Sequence, residues 1–391
     1  MTKARPKIAA IVTAYFPRSH ADVIVTKFLK GFPTDDGLLP PEVDVVSMYL
    51  DQVHERDIGV EMAKQHGVPI FSSIPKALTL DGKELAVDGV LLIGEHGDYA
   101  WNEKGQHLYP RKYFFEQICG VIATSGRSIP VFSDKHLSYN WHDAKWMYDR
   151  AKELDIPFMA GSSVPLSYRR PWVEYDAGTP LDDALSIAYA NLDSYGFHGL
   201  ELLQCMVERR AEREVGIKSV CCLEGDAVWE GASKGLYDRA LLDAAIEAME
   251  VREAGTPEEH CVDHAVFLLE YLDGFKAATF MLNGFTKGWA FAARRGDQID
   301  AMDVFLSDNP HPHFSYLSLN IHRMFLTGQP VYPAERTLLI TGALEALLDS
   351  RNQGHVWVDT PHLDIGYASY AETPIRPSNP RPVGASLEPL T

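Results

Sequence analysis

Cysteine is scarce in this chain: five of 391 residues, at Cys119, Cys205, Cys221, Cys222 and Cys261. The count is odd and no Cys-x-x-Cys occurs, which argues against a disulfide framework or zinc ribbon and for buried free thiols in a reducing compartment. No apolar run reaches the roughly 18 residues that a bilayer-spanning helix needs. The opening Met-Thr-Lys-Ala-Arg-Pro-Lys passes straight into the apolar residues 8–12, without the apolar core of a secretory leader. A cytoplasmic protein is the expectation. Positive charge is also short, with 36 Lys and Arg against 54 Asp and Glu and a formal net charge of −18. Such a surface repels phosphate backbones and anionic lipids, so neither nucleic acid nor membrane is an expected partner.

What remains is a folded chain. Hydrophobic residues make up 46% and charged residues 23%, too apolar for disorder. Its length suggests about two or three domains. Apolar runs at 7–13, 43–49, 87–93, 129–133 and 157–159 read as strands. Helical patterns at 21–29, 56–66, 111–124 and 143–154 fall between them. That alternation predicts a parallel, doubly wound sheet. Beyond residue 160 the texture changes. Residues 181–190 and 197–210 read as helices, and 217–223, 264–272 and 275–282 as strands, the last two joined by Asp273-Gly274 as a tight turn. Consecutive strands without helices between them predict an antiparallel sheet. The expected fold class is therefore α/β, with an N-terminal Rossmann-like parallel sheet over 1–160 and a C-terminal α+β domain over 161–370. That second domain carries a mostly antiparallel open sheet, and a Pro-rich extended tail covers 371–391.

Several segments carry a resemblance. Val87-Asp88-Gly89-Val90-Leu91-Leu92-Ile93, Val131-Phe132-Ser133-Asp134-Lys135-His136-Leu137 and Tyr195-Gly196-Phe197-His198-Gly199-Leu200-Glu201 follow one another with defined spacing. Leu326-Thr327-Gly328-Gln329-Pro330 and Ser350-Arg351 follow later. In order and spacing they resemble the strand before a Thr-Pro loop, the Glu-Lys-Pro motif, the Gly-x-His-x-x-Asp helix and the C-terminal segment of the Gfo/Idh/MocA family, over about residues 7–360. The resemblance implies an NAD- or NADP-linked oxidoreductase acting on a hydroxyl of a sugar, polyol or related small molecule. It implies Lys135, His198 and Asp134 as catalytic residues, and a cofactor over Val12, Ala14 and Tyr15, with Asp51 and Glu95 at its edge. Arg169, Glu201 and Tyr99 are the candidate substrate contacts. A homodimer or homotetramer through the second sheet is also implied, because an open apolar face favours association.

The chain departs from this pattern at the first strand–helix turn. A dinucleotide fold places three glycines there, for a tight turn and a close approach to pyrophosphate. Val12, Ala14 and Pro17 stand in those slots. Gly94-Glu95-His96-Gly97 replaces the Thr-Pro turn, and Asp134-Lys135-His136 replaces Glu-Lys-Pro. In an open α/β sheet these positions lie beyond the carboxyl ends of the strands, where ligands bind. A lysine there can stabilise an alkoxide and relay a proton, and a histidine can act as general base. The gain of imidazole and carboxylate groups opens a second reading. It is a metal-dependent lyase or hydrolase without NAD(P), with Zn²⁺, Mn²⁺ or Fe²⁺ held by His20, Glu95, His96 and His136, joined by Asp134 and His198. A sensor that keeps only the substrate pocket is the third.

Overall fold

The computed structural model describes residues 4–387. Residues 388–391 of the expected tail lie outside the described residues. Two large sheets organise the chain. The first is parallel and contains β1 (Lys7–Val12), β2 (Asp44–Leu50), β3 (Gly89–Ile93), β4 (Val131–Asp134) and β5 (Phe158–Gly161), in the order β2-β1-β3-β4-β5. A single parallel bridge from Met48 to Ile70 extends it beyond β2. Helices α1 (His20–Lys30), α2 (Gly59–Gln65), α3 (Ile74–Thr79), α4 (Arg111–Ser125) and α5 (Trp141–Glu153) cover its faces. Strands buried from both sides read as unbroken apolar runs, and all five residues of β3 are buried. The strand order reverses between β1 and β3. A crevice for ligands opens at such a point, beyond the carboxyl ends.

The second sheet is mixed. It holds β6 (Tyr168–Arg170), β7 (Asp183–Ala188), β8 (Ile217–Glu224), β9 (Ala265–Tyr271), β10 (Lys276–Met281), β11 (Trp289–Arg295), β12 (Gln298–Phe305) and β13 (Val358–Asp359). Their order is β13-β8-β9-β10-β7-β11-β12-β6, and only β7 with β10 is parallel. The expected α/β class, with a parallel first sheet and a mostly antiparallel second one, is what the chain forms. One expectation fails here: residues 181–190 were predicted helical, but Asp183–Ala188 is a central strand. Five of its six residues are buried, and it is hydrogen-bonded on both sides, to β10 and β11. Pairing on two edges overrides the helix preference of an Ala- and Leu-containing segment.

Helices α6 (Ser194–Val207) and α10 (Ala334–Asn352) pack on one face of this sheet, around Phe267, Phe291 and Leu344. The other face is not open. Helices α7 (Asp226–Ser233) and α8 (Arg239–Ala248) lie over it. Leu241, Leu242, Ala245 and Ile246 of α8 bury themselves against Leu185, Ile187, Phe280, Ala290 and Ala292. The apolar patch that motivated the expected dimer or tetramer is thus covered within the chain. Helix α9 (Pro312–Thr327) crosses back to the first sheet and seats Leu317, Ile321, Met324 and Phe325 in its core. Gly89 permits this, since a Cβ there would come 2.6 Å from the Phe325 ring. The Pro-rich tail is tied down. Asn320 exchanges two hydrogen bonds with Ile375, and Asp35 Oδ1 accepts from the Val383 N–H at 3.1 Å. The five cysteines are free thiols, four of them buried.

Leu242 is fully buried beneath α8. Leu242→Ala should cost about 2–4 kcal/mol in urea unfolding, the range for a leucine truncated in a packed core.

Candidate active site

The crevice is built around one carboxylate. Glu95 follows β3, is 4% exposed, and forms ion pairs with Arg111 and with Lys135, the latter at 3.4 Å. Burial alone would raise its carboxyl, but Lys135 and Arg111 outweigh burial and hold it well below the ordinary carboxylate range. Arg111 opens α4 and also reaches His136 Nε2 at 3.2 Å. Lys135 follows β4 with φ at +67°, outside the conformation usual for a side-chain-bearing residue. Its backbone N–H donates to Gly161 O and its Nζ to Ser194 O, at 3.2 and 2.9 Å. Its side chain therefore bridges the end of the first sheet and the start of α6.

A second group lies alongside. His20 Nδ1 meets Asp134 Oδ2 at 2.6 Å. A carboxylate only accepts, so Nδ1 carries a proton. His198, on α6, stands with its ring centroid 6.3 Å from that of His20 and has Nδ1 2.6 Å from Ser162 Oγ. Ser162 is fixed in turn by Glu201, whose Oε2 accepts the Ser162 N–H at 2.5 Å, while Thr337 donates to Oε1 at 3.0 Å. His96, also at positive φ, has its ring centroid 5.4 Å from that of His20. The buried Nε2 of His96, Oδ1 of Asp134 and Nδ1 of His136 have no hydrogen-bond partner among the described residues. Burial lowers His96 to about 4, and burial, with Lys135 second, holds His198 well below its ordinary value. Both imidazoles are neutral near pH 7. Burial raises Glu201 to about 7 and Asp193 to about 6.

The predicted catalytic residues Lys135, His198 and Asp134 come together here, with Glu95, His20, His96 and His136. Others do not join them. Arg169 is buried and holds Val173 O, Glu174 and Pro165 O, so its guanidinium is spent on its own turn. Glu201 is committed to Ser162 and Thr337, and Tyr99 donates its hydroxyl to Asp51 at 2.7 Å. The metal reading of His20, Glu95, His96 and His136 is not supported. No group of three or more His, Cys, Asp or Glu side chains among the described residues is placed to hold a metal ion. Glu95 is paired with two cations and one oxygen of Asp134 with His20, so the carboxylates that would anchor a metal are already engaged. Arg111 and Ser162 join the site without belonging to any of the motifs that mark its other residues. Arg111 lies on the buried stripe of α4 with Phe114, Phe115, Ile118 and Ile122. An arginine at that spacing is a signal of a buried partner.

No family model matches the chain, and no curated protein matches it in sequence. Solved structures do match. GenD2 from gentamicin A biosynthesis, in complex with NAD, is 14% identical with a TM-score of 0.58, covering 92% of this chain and 97% of its own. The scyllo-inositol dehydrogenase of Lactobacillus casei with bound NAD(H) and scyllo-inositol is 11% identical with a TM-score of 0.57, covering 91% and 99%. A probable dehydrogenase from Thermotoga maritima is 14% identical with a TM-score of 0.55, over 91% and 99%. The chain shares the fold of these structures. The residues at this chain's first turn do not fit a pyrophosphate. Val12, Ala14 and Tyr15 are fully buried, and the Tyr15 hydroxyl is 2.7 Å from that of Thr26. At the start of α1 the Asp22 carboxylate accepts the Arg18 N–H at 2.8 Å, which sets a negative charge where an anion would have to sit.

A carboxyl that burial lifts to about 7 keeps a proton in the folded chain that the unfolded chain releases near 4.5. Its stabilising contribution is complete below about 4.5 and is lost as pH rises through about 7. Glu201→Gln has no such loss. Its stability relative to the parent should therefore rise between pH 5 and 8 by up to about 3 kcal/mol in urea titrations.

Proposed function

We propose that this chain is an enzyme acting at a hydroxyl-bearing carbon of a small polyhydroxylated molecule, a sugar, polyol or relative. The observation that carries the reading is the His20–Asp134 pair set beside Lys135 and His198 at the strand-order reversal. In the proposal, Asp134 holds His20 in the tautomer whose Nε2 takes a proton. Lys135 Nζ, fixed by Glu95 and Ser194 O, faces the substrate oxygen, donates a hydrogen bond to it and steadies negative charge that develops there. His198, neutral and fixed by Ser162 and Glu201, positions a second hydroxyl or passes the proton on. The free buried atoms of His96, Asp134 and His136 supply further donors and acceptors for a ligand rich in hydroxyls. The scyllo-inositol bound in a structure of this fold supports a polyol-like substrate class.

The test is turnover on a panel of sugars, polyols and sugar acids, followed by NMR of the products. Asp134→Asn and His20→Ala should each lower turnover by about 10²–10⁴-fold, the usual worth of a positioned general base. Lys135→Ala should do the same, and unchanged turnover in all three would remove the proposed machinery.

A further inference from the structure

The loop that follows β2 packs against the first strand–helix turn, the turn at which a dinucleotide fold seats its pyrophosphate. The Asp51 N–H donates to Val12 O, the Gln52 N–H to Thr13 O and the Ile58 N–H to Tyr15 O, at 3.0, 2.9 and 2.9 Å. Gly59 completes this contact, because a Cβ there would start 2.7 Å from Tyr15 Cβ. The Phe16 ring lies against His54 at 4.7 Å and His96 at 5.3 Å between ring centroids, with the Arg56 guanidinium over its face at 5.1 Å.

Two further clasps tie this segment to the loop after β3. Gln52 holds the backbone of Asp98 from both ends, accepting its N–H at 2.7 Å and donating to its carbonyl at 3.1 Å. Asp51 stands at the end of the second strand, where a carboxylate would hold an adenosine ribose. It instead accepts the hydroxyls of Tyr49 and Tyr99, at 2.6 and 2.7 Å. The acid at the ribose position and the first turn are therefore both engaged by the chain's own groups.

We infer that this chain binds neither NAD nor NADP and that its crevice works without a dinucleotide, on a small hydroxylated substrate whose overall oxidation level does not change. The inference rests on the reading that the crevice acts on such a substrate. It selects the redox-neutral form, in which protons move and no hydride leaves. The site keeps what that form uses, a base in the His20–Asp134 pair and a donor in Lys135. The groups displaced are those that would seat a hydride acceptor.

The experiment uses the full chain as purified. It is denatured and the supernatant assayed for NAD, NADH, NADP and NADPH. The native protein is then titrated with each of the four by calorimetry and, for the reduced forms, by nicotinamide fluorescence. The expected result is no released dinucleotide and no binding tighter than about 100 µM for any of them. Release of a stoichiometric dinucleotide, or binding tighter than that by any one, overturns the inference and leaves the hydroxyl-acting enzyme standing in its oxidoreductase form. These measurements contain no substrate. A panel on which the parent chain and its His20→Ala variant behave alike would therefore count against the proposed enzyme without touching the binding result.

Discussion

The arrangement depends on keeping one carboxylate ionised out of water. Glu95 is buried beside Arg111 and Lys135, and a carboxylate so placed is tolerable only while its cations stay within reach. The three residues come from three different places: the turn after β3, the first residue of α4 and the residue after β4. Holding them together fixes the lip of the crevice. It also provides a reason for the unusual backbone at Lys135, since positive φ in a bulky residue persists where its surroundings over-determine it. Lys135 is held at both ends, by Gly161 O on its backbone and by Glu95 and Ser194 O on its side chain.

Around that centre burial keeps His96, His136 and His198 neutral, and the imidazoles differ in what holds them. His20 is oriented by a carboxylate, His198 by a hydroxyl and His136 by a guanidinium. One residue type thus supplies three chemical characters within a few ångströms. A hydroxylated ligand, which needs donors and acceptors alternating along its length, is better served by such a rim than a dication would be.

The architecture was largely legible in the sequence because it is written locally. Strands buried on both faces appear as apolar runs such as Val87–Ile93's Val-Leu-Leu-Ile core, and Asp273-Gly274 marks its hairpin. Segment 181–190 misled because its composition suits a helix while its partners, β10 and β11, come from about 90 and 100 residues away. At the site, motif position placed Lys135, His198 and Asp134 together. Pairings that cross the fold were not visible: Asp134 with His20, Ser162 with His198, and Asp51 with Tyr99 are 114, 36 and 48 residues apart. The substitutions Val12, Ala14 and Pro17 hinted at a changed turn. The packing of the 51–59 segment on that turn, and its clasps, follow from contacts that no local pattern encodes.

Helix α9 has a consequence for how the protein is made. Its Leu317, Ile321, Met324 and Phe325 share a core with Ile8, Ala10 and Val12 of the first strand, so the first strand to leave the ribosome waits for one of the last helices. Until that helix arrives, the growing chain carries an incompletely covered apolar sheet, the kind of surface that chaperones bind and that aggregates when left exposed. Maturation of this chain is therefore bound to completion of its synthesis: a truncated product ending before residue 312 would have both halves of the crevice rim in sequence, and a first sheet without its cover.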